Sequence, residues 1–375
     1  MKSAAATTFA FNYQQAFSPC TVPARKPLRV FRFGGCIALV LHSYKPKKAG
    51  SFFAYRPFWS LLLSEVVQTF PAQPGHTRDL RRSWLCGRDS YSNKDFEHRK
   101  AWLKRRILDL GDIFATGIYA FAVMSNHVHI VLHMHPASAN AWSSAEVANR
   151  WVQLYPANSL ELCAQKAAGI IENPELVATY RSRLADVSWL MKSLSEPIAR
   201  RANSEDKVTG RFWEGRFKSQ LLVSEKSILA AMTYVDLNPI RADIAKGVST
   251  SSYTSVKMRH DQILKNEANA LQTLAPLAGV KSFNVPPMTE AEYIDLVDFT
   301  GRELHPGKRG VIKIDEPKAL RRLGLDKDHW TMKVKGVGSS YWRVVGSLEE
   351  LIEKAKELKQ RTLFGIGFAR FLKNI

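Results

Sequence analysis

Cysteine is scarce in this 375-residue chain. The four, Cys20, Cys36, Cys86 and Cys163, lie far apart and none belongs to a CxxC pair. That spacing excludes a zinc ribbon, gives no disulfide framework and fits a reducing compartment. Long apolar runs are missing as well. "CIALVL" (36–41) falls well short of the roughly 18 apolar residues of a membrane span, and lies too far in for a signal peptide. Acidic side chains are few: 34 Asp and Glu face 54 Lys and Arg, for a formal net charge of +20. Such a balance points to an anionic partner, nucleic acid before membrane, and says nothing about fold. There is no internal repeat.

What is present is enough for two or three domains with a real core, since the apolar fraction is an ordinary 45%. Residues 1–78 link into no recognisable pattern and include the break "PAQPGH" (71–76). Order begins near residue 79. The stretch 95–112 predicts an amphipathic helix. Phe96, Leu103, Ile107 and Leu110 share one face, Arg99, Lys100 and Arg106 fall largely off it, and Gly111 reads as its stop. "GIYAFAVM" and "HVHIVLHM" predict strands. Helices are expected over 187–203, with a kink at Pro197, and over 224–237, with Ser224 as N-cap and Asn238-Pro239 as terminator. Between them "GRFWEGRFKSQLLV" (210–223) has strand or hairpin composition. Residues 256–285 read as linker with a polar helix, and 286–375 as a mostly helical extension with helices in "EAEYIDLVDFTGREL" and "SLEELIEKAKELKQR".

"FAVMSNHVHIVLHMHP" (121–136) sets His127, His129, His133 and His135 at alternate positions. On a strand all four point to one face. His127 and His129 can hold two imidazole nitrogens near one divalent ion, while Val128, Ile130 and Leu132 bury the other face. An isolated H-x-H is also what surface or packed histidines look like. The end members cannot share an ion, because His127 and His135 would stand about 26 Å apart at roughly 3.3 Å per residue. His133 and His135 lie where the strand should be leaving this site, and read as solvent-facing strand-end residues.

Tyr234 and Asn238 are four apart on one helix face. A tyrosine can attack a phosphodiester, and the asparagine can offer an oxygen to a metal or orient a water. The plain alternative is a packed ring followed by a helix cap. In "RFWEGRFKS" (211–219), Arg211, Arg216 and Lys218 alternate with Phe212, Trp213 and Phe217. Cations neutralise phosphates and rings stack on unpaired bases. A core hairpin with Phe217 inward and solvated basic residues accounts for the same pattern.

Three blocks, "AVMSNHVHIVL", "SWLMKSLSEPIARRANSEDKVTGRFWEGRFKSQ" and "YVDLNPIRADI", together resemble the bacterial REP-associated tyrosine transposases, single-tyrosine HUH transposases of the IS200-like class. The match runs from about Arg81 to about Tyr253, with the blocks in the family's order. The resemblance implies an α+β, ferredoxin-like palm over 79–255, an antiparallel sheet with helices on one side. It implies His127 and His129 as metal ligands, Asn238 as the polar residue assisting the metal, Mg²⁺ or Mn²⁺ as the ion, and Tyr234 as nucleophile. The substrate it implies is single-stranded DNA folded into hairpins, cleaved and rejoined through a 5′-phosphotyrosine, with Arg211, Arg216, Lys218 and Arg241 on phosphates. The same resemblance implies a cytoplasmic protein, nucleoid-associated when DNA-bound, with no membrane partner and a homodimer left open. Two rivals stay open: a hairpin-binding relative without catalysis, and a zinc-dependent hydrolase using the histidine row.

The chain departs from the pattern where a first strand belongs. That place reads "FPAQPGHTRDL", and Pro71, Pro74 and Gly75 do not suit a central strand. Residues 1–78 are accordingly read as an atypical region, foreign to the family or disordered.

Overall fold

The computed structural model describes residues 37–39, 67–69, 86–88, 93–213, 217–282, 285–304, 316–341 and 343–374. Two short strands come first, β1 (Ile37–Leu39) and β2 (Val67–Thr69). Helix α1 (His98–Ile113) follows, with Leu103, Ile107 and Leu110 buried along one stripe.

Two expectations for α1 change. The helix does not stop at Gly111. A Cβ there would fall 2.8 Å from the Cβ of Ala278 and 2.9 Å from Cγ1 of Ile118, so this glycine serves close approach to the sheet. Arg99 and Lys100, expected off the apolar face, are buried. Arg99 Nε donates to Glu205 at 2.8 Å, its Nη2 donates to Asp206, and the guanidinium lies 4.1 Å over the Phe96 ring. Lys100 pairs with Glu97 at 2.8 Å. Charges that find such partners tolerate burial.

The strands β3 (Thr116–Val123) and β4 (Val128–Met134) form the central antiparallel pair, in register from Thr116↔Met134 to Val123↔Val128, with a shift at Tyr119. Every residue of both is buried, so the sheet is covered on both faces here. A helical excursion follows: α2 (Pro136–Ala141), α3 (Ser144–Leu154), α4 (Leu160–Ile171) and α5 (Pro174–Leu184). Side chains of Ser143, Ser159 and Asn173 cap the last three, and Trp151 stacks on Tyr180 at 4.0 Å. Helix α6 (Val187–Asp206) contains Pro197 and brings its acidic end to Arg99.

Strand β5 (Gln220–Leu222) leads into α7 (Glu225–Asp236), which Ser224 caps through its Oγ, and α8 (Asn238–Arg241) begins at the Asn-Pro step. Then come α9 (Ser255–Lys265), β6 (Ala278–Gly279), α10 (Glu290–Leu304), α11 (Lys318–Arg322), α12 (Lys327–Val337), β7 (Val344–Val345), α13 (Leu348–Glu357) and α14 (Ile366–Lys373).

The result is an α+β fold in which many helices surround one small sheet of order β6-β3-β4-β1-β5-β7. All pairings are antiparallel except β5 with β7. The edge of β4 away from β3 is lined end to end by two pieces, β2 against residues 128–130 and β1 against 131–133. Both pieces lie upstream of the proline-rich break, and residues 70–85 lie outside the described ones.

Two buried polar centres fix α7 from behind. Asp236 accepts from Tyr293 Oη at 2.6 Å, from the Val256 amide at 2.9 Å and from Ser255 Oγ. Complete burial still pushes its carboxyl up to about 6. Arg259 donates to Glu290 at 2.5 Å and to the carbonyls of Tyr119 and Ala275 at 3.0 and 2.9 Å. Together they tie α7, α9 and α10 to β3.

Candidate active site

Helix α7 is buried on nearly every face, from Ser227 to Asp236. Small residues Ala230 and Ala231 and apolar Ile228, Leu229, Met232 and Val235 make this affordable for a helix sandwiched between layers. Sheet strands β3 and β4 cover one side and α12 another. Tyr234, in the last turn of α7, is therefore presented to the sheet surface where the histidines emerge.

The tight connection of β3 to β4 aims the first histidine pair. The Met124 amide donates to the His127 carbonyl at 2.8 Å, and the Cys86 amide holds the Ser125 carbonyl at 3.1 Å. His127 Nδ1 hydrogen-bonds Asn126 Oδ1 at 2.7 Å. With a carbonyl oxygen as acceptor, Nδ1 carries the proton and Nε2 keeps its lone pair, the ligand form of imidazole. The rings of His127 and His129 meet edge to face at 4.6 Å. His129 is buried, and its ring stands 6.2 Å from that of Tyr234, again edge-on.

The Arg241 guanidinium lies over the phenol ring, 4.6 Å from its centroid. One terminal nitrogen of Arg241 is buried without a hydrogen-bond partner among the described residues. A half-buried cation with a buried, unused donor is suited to an anionic oxygen. Asn238 Nδ2 reaches back to the Tyr234 carbonyl at 3.5 Å. A Cβ on Gly338, just past α12, would fall 2.5 Å from Cε2 and Cζ of Tyr234 and closer still to Oη.

Residues far apart in the chain thus converge: His127, His129, Tyr234 and Arg241 form one cluster of rings and guanidinium, and Asn238 is hydrogen-bonded to its backbone. The basic segment between α6 and β5 is arranged differently. Phe212 is buried, Trp213 Nε1 donates to the Ser195 carbonyl at 2.8 Å, and Phe217 packs half-buried on the core. Arg211 and Lys218 are exposed, and Arg216 lies outside the described residues. Among the described residues no hydrogen bond, ion pair or ring contact links Arg211 to the cluster. Two contributors escape the sequence reading, Asn126 and Gly338. The first had a signal, the asparagine immediately before H-x-H; the second had none.

The far end of the histidine row corrects the expectation of solvent-facing residues. His133 is buried and His135 half-buried, their rings 3.9 Å apart. His133 sits in register between Ile37 of β1 and Gly117 of β3, so strands flank it on both sides. Burial, and then the neighbouring His135, lower its pKa to about 3; burial lowers His135 as well. Both rings are neutral at pH 7.

No protein-family model matches the chain, and no curated protein matches it. Among solved structures it has a likeness to a REP-associated tyrosine transposase bound to a REP hairpin, at 13% identity and a TM-score of 0.29, covering 62% of this chain and 93% of that one. A likeness of that size is a distant one. No helix among the described residues is long and apolar enough to cross a membrane.

Proposed function

We propose that the chain is a metal-dependent transposase or nickase acting on single-stranded, hairpin-forming DNA. The observation that carries this reading is the meeting of His127, His129, Tyr234 and Arg241, two strand histidines, a helix tyrosine and a cation with an unused buried donor. Nucleophile, phosphate clamp and imidazole pair are the parts that phosphodiester attack by a phenol requires.

Tyr234 Oη attacks the phosphorus as the bond to the 3′ oxygen breaks. The phenol gives up its proton, the departing oxygen gains one, and the products are a 5′-phosphotyrosine and a free 3′-hydroxyl. Attack by another 3′-hydroxyl reverses the step and joins DNA. Arg241 holds a non-bridging phosphate oxygen and the face of the ring. Asn126 fixes the tautomer of His127. Arg211, Arg216 and Lys218 contact phosphates along the strand, within a chain of net charge +20.

Imidazoles are weak donors for Mg²⁺ or Mn²⁺, so the histidine pair would hold such an ion only loosely, with substrate phosphate and water supplying the oxygens it prefers. Among the described residues no three His, Cys, Asp or Glu side chains gather at one point, so His127 and His129, with the Asn238 amide, would leave positions for water and phosphate. Such an ion supplies Lewis-acid polarisation of the scissile phosphate.

One observation favours a second reading, a hairpin-binding relative without catalysis: the Tyr234 ring is packed closely against Gly338, as a purely structural tyrosine would be. Incubation with a labelled single-stranded hairpin and Mn²⁺, followed by a denaturing gel, separates the two. The proposal predicts a covalent protein–DNA band lost in His127→Ala and His129→Ala; hairpin binding with no band in the parent supports the second reading.

A further inference from the structure

The strand-transfer reading uses only the first two histidines of the row. The other two form their own constellation at the opposite end of β4. Residues i and i+2 on a strand have Cα atoms about 6.6 Å apart. The rings of His133 and His135 have leaned together to 3.9 Å between centroids. Both nitrogens of His133 and Nε2 of His135 are buried with no hydrogen-bond partner among the described residues. His133 is only 3% exposed. Buried polar atoms left without partners are costly, and such groups in a native core call for a ligand or an ordered water.

We propose that His133 and His135 bind one borderline-soft divalent cation of the Zn²⁺ class at a site separate from the His127–His129 pair. Neutral imidazoles suit Zn²⁺, Ni²⁺ and Cu²⁺ and are poor partners for Mg²⁺. Ligand nitrogens must lie about 2 Å from the ion, which two rings already in contact reach by side-chain rotation without backbone movement. The backbone is held: the His133 carbonyl accepts from Thr116 Oγ1 at 2.9 Å, and the His135 amide donates to the Ala115 carbonyl at 2.7 Å. Half-buried His135 provides the approach from solvent, and because no third His, Cys, Asp or Glu joins the pair among the described residues, water or an anion completes the shell. An ion here bridges the end of β4 to the start of α2 and acts on stability, not on strand transfer.

The test uses the full chain carrying His127→Ala and His129→Ala, so that the first pair cannot contribute. Equilibrium dialysis against Zn²⁺ with metal quantification should find one bound equivalent. Adding His135→Asn should weaken binding by about tenfold or more. Zn²⁺, and not Mg²⁺, should raise the thermal midpoint of the double-alanine chain, and that rise should vanish with His135→Asn. His135 is half-buried and N-terminal to α2, so its replacement leaves the core in place; circular dichroism checks that the variant is folded. Absence of zinc binding in the double-alanine chain, or binding unchanged by His135→Asn, overturns the proposal. Zinc bound only when His127 and His129 are intact overturns it too and moves the metal to the first pair.

Discussion

Gly338→Ala tests whether the end of α12 and the Tyr234 ring are in contact. A Cβ at this position would lie 2.5 Å from Cε2 and Cζ of Tyr234, against 3.4–4 Å for ordinary contact, so the ring or the helix end must move by about 1 Å. The ring has little room, with Arg241 on one face and His129 at its edge. Backbone strain does not enter, because Gly338 is already at φ −84°, ψ −10°. Overpacking of this kind costs about 1–3 kcal/mol, and the loss of glycine freedom in the unfolded chain returns about 0.4–1 kcal/mol. The net expectation is a loss of about 1–2 kcal/mol, read as a lower urea midpoint at constant slope. In a Tyr234→Ala background the clash is gone and the same substitution should be neutral or slightly stabilising. The double-mutant cycle then gives a coupling of about 2 kcal/mol. Equal destabilisation in both backgrounds would refute the contact between the end of α12 and the phenol ring.

Two further outcomes follow from buried charges. Arg259→Met leaves Glu290 without its partner and strips hydrogen bonds from the Tyr119 and Ala275 carbonyls, and should cost about 3–5 kcal/mol in chemical denaturation; a loss under about 1 kcal/mol contradicts the network described for α9. Burial lowers Lys333 to about 8, from 10.5 in the unfolded chain. The unfolded chain then binds more protons between those values, so stability rises as pH climbs from 8 toward 10.5. Lys333→Met should gain about 3 kcal/mol at pH 7, and the gain should shrink over that window; a difference independent of pH refutes the shift.

Much of the fold could be read from local patterns. The stretch from Ser224 to Pro239 carries an N-cap, an apolar run and a stop, and α7 appears with those ends. The two β-rich runs around Ser125-Asn126 become β3 and β4. The failures arise where meaning lies in a distant partner. Gly111 looks like a helix stop because only Ala278 and Ile118 reveal that a side chain does not fit. Arg99 looks solvated until Glu205 and Asp206 arrive on α6. His133 looks like a strand end until β1 pairs beside it. Strands β6 and β7 are two residues each and leave no periodicity to read. For the site, H-x-H and the Tyr234–Asn238–Arg241 spacing were visible in the chain. That the rings of His129 and Tyr234 meet between β4 and α7, and that Gly338 packs against the phenol ring, belongs to tertiary packing.

In the proposed strand transfer the chemical work falls to one oxygen, and Tyr234→Phe removes that oxygen while keeping the ring beside His129 and Arg241. Parent and variant are incubated with a labelled single-stranded hairpin and Mn²⁺, resolved on a denaturing gel, and the parent adduct is mapped by mass spectrometry. DNA is expected on the parent peptide containing Tyr234, and in the variant no adduct, with hairpin affinity close to the parent. An adduct on any other residue, or undiminished cleavage by Tyr234→Phe, contradicts the proposed strand transfer.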